Sequence, residues 1–172
     1  MVDDAVRGLA ARAFLVAMGL AMPAPGWSAA PPPPEATATR PEDRVIFDRE
    51  ATRKALTGRA MGRGELWTPA LADVTALEQK LPAYLRRAYK DQDRRREPLW
   101  KRAPHYKRQY LGITQKGERT IYANFFCEIF GPHPEDWKTI LVDVDDGGDC
   151  YFQVEYDVKA GTFHDLSVNG EA

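Results

Sequence analysis

The sequence predicts an α+β domain in which one amphipathic, proline-kinked helix packs on a four- to five-strand antiparallel meander sheet. Two observations predict this class. Apolar residues recur at three- and four-residue steps from Leu71 to Ala88, which is the period of a helix with one buried face. From residue 105 onward, short runs with alternating apolar residues are separated by turn residues, which is typical of strands joined by hairpins. A helix and a sheet of this kind bury their apolar faces against each other.

The N-terminal region predicts an export signal. Residues 13–22 are uncharged and mostly apolar, follow two arginines and precede a stretch with prolines and glycine, as in a secretory signal peptide. We expect a signal peptide over residues 1–30, with cleavage after Ala38 as the alternative. An N-terminal helix buried in the fold is a further alternative, which the prolines at 31–34 disfavour. We therefore expect a periplasmic or extracellular protein with no transmembrane anchor after cleavage.

The next segment, residues 31–43, is predicted to be a disordered proline-rich spacer, because it lacks apolar periodicity. Residues 44–172 then form a single α+β domain of roughly 130 residues, enough for one core. The four Trp, seven Tyr and seven Phe of the chain support a folded body.

The beginning of the domain and its helix follow from local signals. Residues 44–65 are ambiguous, with a short strand, a helical turn and a glycine-rich loop as candidates. Thr68 and Pro69 predict a helix start, since threonine caps helices and proline suits their first position. Pro82 lies inside the apolar pattern, so we expect a kink or a break into two short helices near residues 80–82.

Five strands are predicted after the helix. They are residues 106–113, 119–127, 139–144, 150–158 and 162–168. A proline-containing loop separates the second strand from the third. The paired glycines of residues 145–148 suit a tight hairpin between the third strand and the fourth.

The two cysteines predict a disulfide. Cys127 and Cys150 are the only cysteines of the chain, and in an oxidising compartment such a pair is expected to be bridged. Two buried free thiols are the alternative. Because the spacing is not CxxC, a redox-catalytic role is poorly supported.

Catalytic and metal-binding motifs are not found in the sequence. The three histidines stand at no metal-ligand spacing, and the acidic run 143–149 lacks the glutamate that a calcium loop needs at its twelfth position. We therefore expect no catalytic residue, no metal and no cofactor. The alternative is a small hydrolase or polymer-modifying enzyme whose site is assembled from distant residues such as His133, Glu135 and Asp143.

Charge is distributed unevenly along the chain. Residues 84–109 hold ten Lys/Arg against three Asp/Glu, a net +7, whereas residues 118–172 hold three against twelve, a net −9. The two regions either neutralise each other in the fold or leave a basic surface for an anionic partner. The candidate partner surface consists of Arg94, Arg95, Arg96, Trp100, Lys101, Arg102, Lys107 and Arg108. Export disfavours nucleic acid and leaves an envelope protein or an anionic polymer as the partner.

Several strings of the sequence carry a family resemblance. YKRQYLG at 106–112, IYANFFC at 121–127, DGGDCYF at 146–152 and the closing VNGEA resemble a group of small exported bacterial proteins with no assigned function. In architecture, the final hairpin is similar to those of PepSY and cystatin-like domains, which implies an inhibitory or regulatory module and carries no catalytic residues over. The sequence thus favours an exported, non-enzymatic binding or regulatory module of the cell envelope, with an enzyme or a structural envelope protein as alternatives.

Overall fold

A computed structural model describes residues 39–60, 64–90, 95–129 and 132–170. The expected signal peptide, most of the spacer and Arg94 lie outside these ranges. The α+β class is confirmed for the described part of the chain, which folds as α-helices against one mixed sheet. None of the helices in these ranges has the length and apolar character needed to cross a membrane.

The described elements follow one another in a simple order. The α-helices are α1 (Arg49–Ala55), α2 (Leu71–Ala88) and α3 (Leu99–Arg102). The strands are β1 (Arg44–Ile46), β2 (Leu66–Trp67), β3 (Lys107–Gln115), β4 (Glu118–Phe126), β5 (Tyr151–Asp157) and β6 (Thr162–Val168). The sheet order is β1-β3-β4-β5-β6, and β2 also pairs with β3. Strands β3 to β6 form the predicted antiparallel meander, while β1 pairs with β3 in parallel through a crossover that contains α2.

Helix α2 covers one face of the sheet. Its buried side chains Val74, Leu77, Leu81 and Leu85 belong to the main core, with residues of β3, β4 and β5. Leu71, placed on the apolar stripe by its spacing, is 55% exposed.

The expected threonine cap does not form. Ala70 is the N-cap residue of α2, and the Thr68 hydroxyl instead accepts a hydrogen bond from the backbone N–H of Arg49 at 3.0 Å, which ties the start of α1 to the end of β2. The break expected near Pro82 does not occur either, because the helix continues to Ala88. Buried leucines on both sides of Pro82 hold the two halves against the same sheet, which offsets the lost backbone hydrogen bond.

The strand predicted at 139–144 is wrong, and so is the hairpin at 145–148. Residues 141–144 have no regular secondary structure, and Gly147, with φ of 97°, leads into a 3₁₀ turn at Gly148–Cys150. The alternating sequence does not enter the sheet because buried amide side chains on the sheet's second face bind its backbone polar groups instead. The segment therefore lies over the second face as a loop.

The predicted disulfide is confirmed. Cys127 and Cys150 are bonded across a sequence separation of 23, with their Cα atoms 5.1 Å apart. The Cys127 N–H also donates to the Cys150 carbonyl oxygen at 3.0 Å. The bond closes the long loop between β4 and β5 at its two ends.

Glu78 fixes α2 to the sheet through charge as well as packing. Its Oε1 accepts hydrogen bonds from Arg108 Nε at 2.8 Å and from the Tyr110 hydroxyl at 2.9 Å. Its Oε2 accepts from the Thr39 hydroxyl at 2.8 Å and from Arg44 Nη1 at 3.0 Å. Burial is the main cause that raises the pKa of Tyr110 well above its usual value, and the negative charge of Glu78 is the second cause. Glu78 is buried, and this network satisfies its carboxylate.

Candidate functional site

Much of the predicted basic surface is neutralised within the fold. Arg102 donates to the Asp149 carboxylate from both terminal nitrogens, one of them at 3.1 Å, and Arg96 lies 3.4 Å from the same carboxylate. Tyr106 joins them, since its hydroxyl accepts from Arg102 at 2.7 Å. The basic and acidic regions of the sequence therefore meet at Asp149, as the alternative interpretation of the charge pattern expected.

Other members of that surface pair with acidic residues elsewhere in the fold. Arg108 is fully buried on Glu78 and belongs to no surface. Lys107 lies 3.2 Å from Asp43, whereas Lys101 contacts Glu97 at 3.8 Å. Arg95 is exposed, and Arg94 is outside the described residues.

A smaller cationic cluster surrounds Trp100. The guanidinium of Arg86 lies 5.6 Å from the centre of the Trp100 ring, and Lys101 Nζ lies 5.4 Å from it. Both cations are exposed. Arg86 was not among the predicted surface residues, because it belongs to α2 and reaches Trp100 only through the packing of α2 against α3. We call Arg86, Trp100 and Lys101 the cationic cluster.

A pocket of about 330 Å³ opens on the loop between β4 and β5. Its walls are mainly apolar and include Trp137, Leu141, Val142 and Tyr151. A cavity of this size lies at the lower end of the range that binds small ligands. We call it the loop pocket.

Buried amides hold the loop pocket in place. Gln109 Nε2 donates to the carbonyl oxygens of Trp137 and Ile140 at 2.6 and 2.7 Å, and its Oε1 accepts from the Val142 N–H at 2.9 Å. Asn124 Nδ2 donates to the Val142 carbonyl oxygen at 2.8 Å and to Gln109 Oε1 at 3.0 Å. Gln153 Nε2 donates to Asn124 Oδ1 at 3.2 Å. Fully satisfied buried amides of this kind make the loop a fixed part of the fold.

Trp137 anchors the loop by its ring. It is buried, packs edge-on against Phe126 with ring centroids 5.8 Å apart, and has Lys107 Nζ 5.1 Å from its ring centre. Tyr151, which also lines the pocket, donates from its hydroxyl to the Glu128 carbonyl oxygen at 3.2 Å. The disulfide, the amides and the ring contacts together preform the pocket walls.

Acidic side chains give the loop pocket a negative charge. Glu128, Asp136 and Asp143 all line it, alongside one histidine, His133. Among the described residues, Asp143 alone of the three acids has a cationic partner, Arg59. The pocket therefore combines mainly apolar walls with two lining carboxylates, Glu128 and Asp136, that have no ion pair among the described residues.

The structure brings together only two of the three residues that the enzyme alternative requires, which are His133, Glu135 and Asp143. His133 and Asp143 both line the loop pocket, whereas Glu135 does not. Glu135 instead pairs with Lys138, whose hydrogen bond and charge lower the pKa of Glu135. Within the described residues, no hydrogen bond joins any two of the three. A base oriented by a neighbouring acid, as nucleophilic or general base catalysis requires, is not assembled here.

Comparison with protein-family models, with curated proteins and with solved structures finds no match to this chain. Function is therefore inferred from the geometry of the site.

The loop pocket itself was missed by sequence reasoning. The available signal was one amide side chain inside each of two predicted strands, Gln109 in the first and Asn124 in the second. Such residues are costly to bury unless they bind something, and here they bind the loop backbone.

Proposed function

We propose that this chain is an exported, non-enzymatic binding module of the cell envelope, and that its loop pocket binds a partner protein through an apolar side chain next to a basic residue. The preformed apolar pocket with carboxylates at its edge carries this proposal. A pocket that is already formed needs little ordering on binding, which favours affinity.

The size and charge of the pocket define the ligand. A volume of about 330 Å³ accommodates one large apolar or aromatic side chain, the usual anchor of a protein interface. The carboxylates of Glu128 and Asp136 then face the residues that flank the anchor. Lysine or arginine at those flanking positions is complementary to them in charge.

The polar groups of the pocket favour binding over catalysis. An enzyme would need a nucleophile or base in hydrogen-bond contact with an orienting group. His133 has no such contact with Glu135 or Asp143, and Asp143 is engaged by Arg59. These groups can attract a cationic ligand without reacting with it.

The test uses the full-length, ¹⁵N-labelled chain and three tripeptide amides. One peptide has phenylalanine followed by two lysines, the second replaces the lysines by glutamates, and the third replaces phenylalanine by glycine. We expect the first peptide to shift amide resonances of residues 132–144 and the other two to bind much more weakly. Equal shifts with the glycine peptide, or no shift with any peptide, would contradict the proposal.

A matched pair of variants locates the charge contact. Asp136→Lys reverses a carboxylate of the pocket, whereas Asp145→Lys makes the same change on an exposed residue that does not line it. We expect Asp136→Lys to weaken binding of the lysine peptide by about fivefold, since a surface charge contact contributes about 1 kcal/mol. Asp145→Lys should leave the affinity within about twofold.

The cationic cluster supports a second candidate function, the capture of an anionic polymer. Arg86 and Lys101 are exposed and both lie next to the Trp100 ring, although Lys101 also contacts Glu97. Polyglutamate is the probe, and binding at this cluster should weaken as salt rises. Lys101→Ser should weaken polyglutamate binding relative to the wild type at the same salt concentration. An unchanged affinity in that variant would exclude the cationic cluster as the binding site.

A further inference from the structure

Strand β6 contains an irregularity beside β5. Gln153 pairs with Ser167 and Glu155 pairs with His164, so two residues of β6 lie opposite one residue of β5 between these pairs. Asp165, one of the two, has φ of 51°, a left-handed conformation that is unusual for a residue other than glycine. A bulge of this kind redirects side chains that would otherwise point to opposite faces of the sheet.

The bulge brings three possible metal ligands together. His164 Nδ1 lies 2.8 Å from Asp165 Oδ2 and 3.8 Å from Glu155 Oε2. One atom from each of the three residues lies within 4.8 Å of the other two. We call Glu155, His164 and Asp165 the β6 triad.

Glu155 is held in position by a neutral group. Gln115 Nε2 donates to its two carboxylate oxygens at 3.0 and 2.9 Å, and Glu155 is largely buried. Within the described residues, no lysine or arginine lies within ion-pair distance of Glu155 or Asp165. The negative charge of the two carboxylates is therefore balanced either by His164 alone or by a cation that binds all three groups.

We propose that the β6 triad is a zinc site, with His164 Nδ1, Glu155 Oε2 and Asp165 Oδ2 as ligands and the solvent side open for water. His164 Nδ1 lies 2.8 Å and 3.8 Å from the two carboxylates, and all three ligand atoms lie within 4.8 Å of one another, so a single ion can contact all three. Histidine beside two carboxylates suits a transition metal, whereas Mg²⁺ and Ca²⁺ prefer oxygen ligands alone. Gln115 supplies the outer hydrogen bond that commonly orients a metal-binding carboxylate.

This site is independent of the loop pocket, because the two share no residue. It was also hidden in the sequence, where the three histidines stand at no ligand spacing. His164 finds its carboxylates through a strand pairing and a bulge, neither of which spacing along the chain reveals.

The test titrates Zn²⁺ alone into the untagged, chelator-treated full-length chain and follows heat and the ring resonances of His164. We expect one equivalent of zinc to bind, with Mg²⁺ and Ca²⁺ unable to compete at equal concentration. Zinc that binds no more tightly than Mg²⁺, or that leaves the His164 ring unperturbed, would overturn the proposal.

Variants separate a zinc site from a plain ion pair. His164→Ala and Asp165→Asn should each weaken zinc binding by more than about tenfold, and Gln115→Ala by about tenfold through the loss of the outer hydrogen bond. His105→Ala removes an exposed histidine that is distant in sequence from the β6 triad, and it serves as the matched control. If His164→Ala binds zinc as tightly as His105→Ala does, the β6 triad is not the site.

Discussion

Replacing Glu78 by alanine should be among the most destabilising single changes in the domain. The carboxylate accepts four hydrogen bonds, two of them from Arg44 and Arg108. Arg108 is 0% exposed, so Glu78→Ala leaves a buried guanidinium without its counter-charge. Breaking a buried ion pair in this way costs about 3–5 kcal/mol, and the Tyr110 hydroxyl also loses its acceptor. We expect the free energy of unfolding to fall by about 4 kcal/mol.

The assay is urea unfolding of the full-length chain, followed by tryptophan fluorescence. Glu50→Ala is the matched control, because Glu50 is half exposed on α1 and contacts Arg53 and Lys54 only at the surface. Surface pairs of this kind contribute little, so the control should stay within about 0.5 kcal/mol of the wild type.

A conservative variant keeps the test informative if Glu78→Ala does not fold. Glu78→Gln retains an acceptor oxygen but removes the charge and turns an amide donor toward two arginines. It should be less destabilising than alanine and more so than Glu50→Ala. A cost for Glu78→Ala within about 1 kcal/mol of the Glu50→Ala cost would refute the assigned role of the network.

Two further predictions concern the loop and the second face of the sheet. Replacing Cys127 and Cys150 together by serine should lower the free energy of unfolding by about 3 kcal/mol, the chain-entropy cost of releasing a loop of this length, measured by urea unfolding beside the reduced wild type. Burial is the main cause that raises the pKa of Tyr122 to about 12, so the folded state holds this proton more tightly than the unfolded chain does. Stability from this group is present below pH 10 and is lost as the pH rises toward 12. Tyr122→Phe should therefore reduce the alkaline loss of stability by about 1 kcal/mol at pH 11, and an identical pH profile in the variant would contradict this.

The part of the fold that the sequence predicts is the part governed by periodicity. The apolar stripe of α2 and the alternation in β3, β4, β5 and β6 each follow from one buried face, and their observed bounds differ from the predicted ones by at most two residues, the start of α2 included. Strands β1 and β2 contain only three and two residues, too few for an alternating pattern. Their place in the sheet is set by β3, to which both are paired.

The segment 139–144 shows why periodicity alone can mislead. Its alternating apolar residues are compatible with a strand, and they are equally compatible with a loop that turns Leu141 inward against the sheet. The choice depends on Gln109 and Asn124, whose buried amides bind the loop backbone at Ile140 and Val142, 31 and 18 residues later. The pairing of the basic segment is equally hidden from the sequence, since Asp149, which accepts from Arg102, lies 47 residues after it.

The placement of both proposed sites follows from how the two faces of β5 are used. Alternate residues of a strand point to the same face, so Phe152 and Val154 pack in the core with α2, while Tyr151, Gln153 and Glu155 share the second face. Tyr151 lines the loop pocket, Gln153 donates to the amide network, and Glu155 belongs to the β6 triad. Helix α2 leaves that second face to α1 and to the loop after β4, which pack on it through an apolar cluster and through buried amides. Both proposed sites therefore lie on the face that the long helix does not cover.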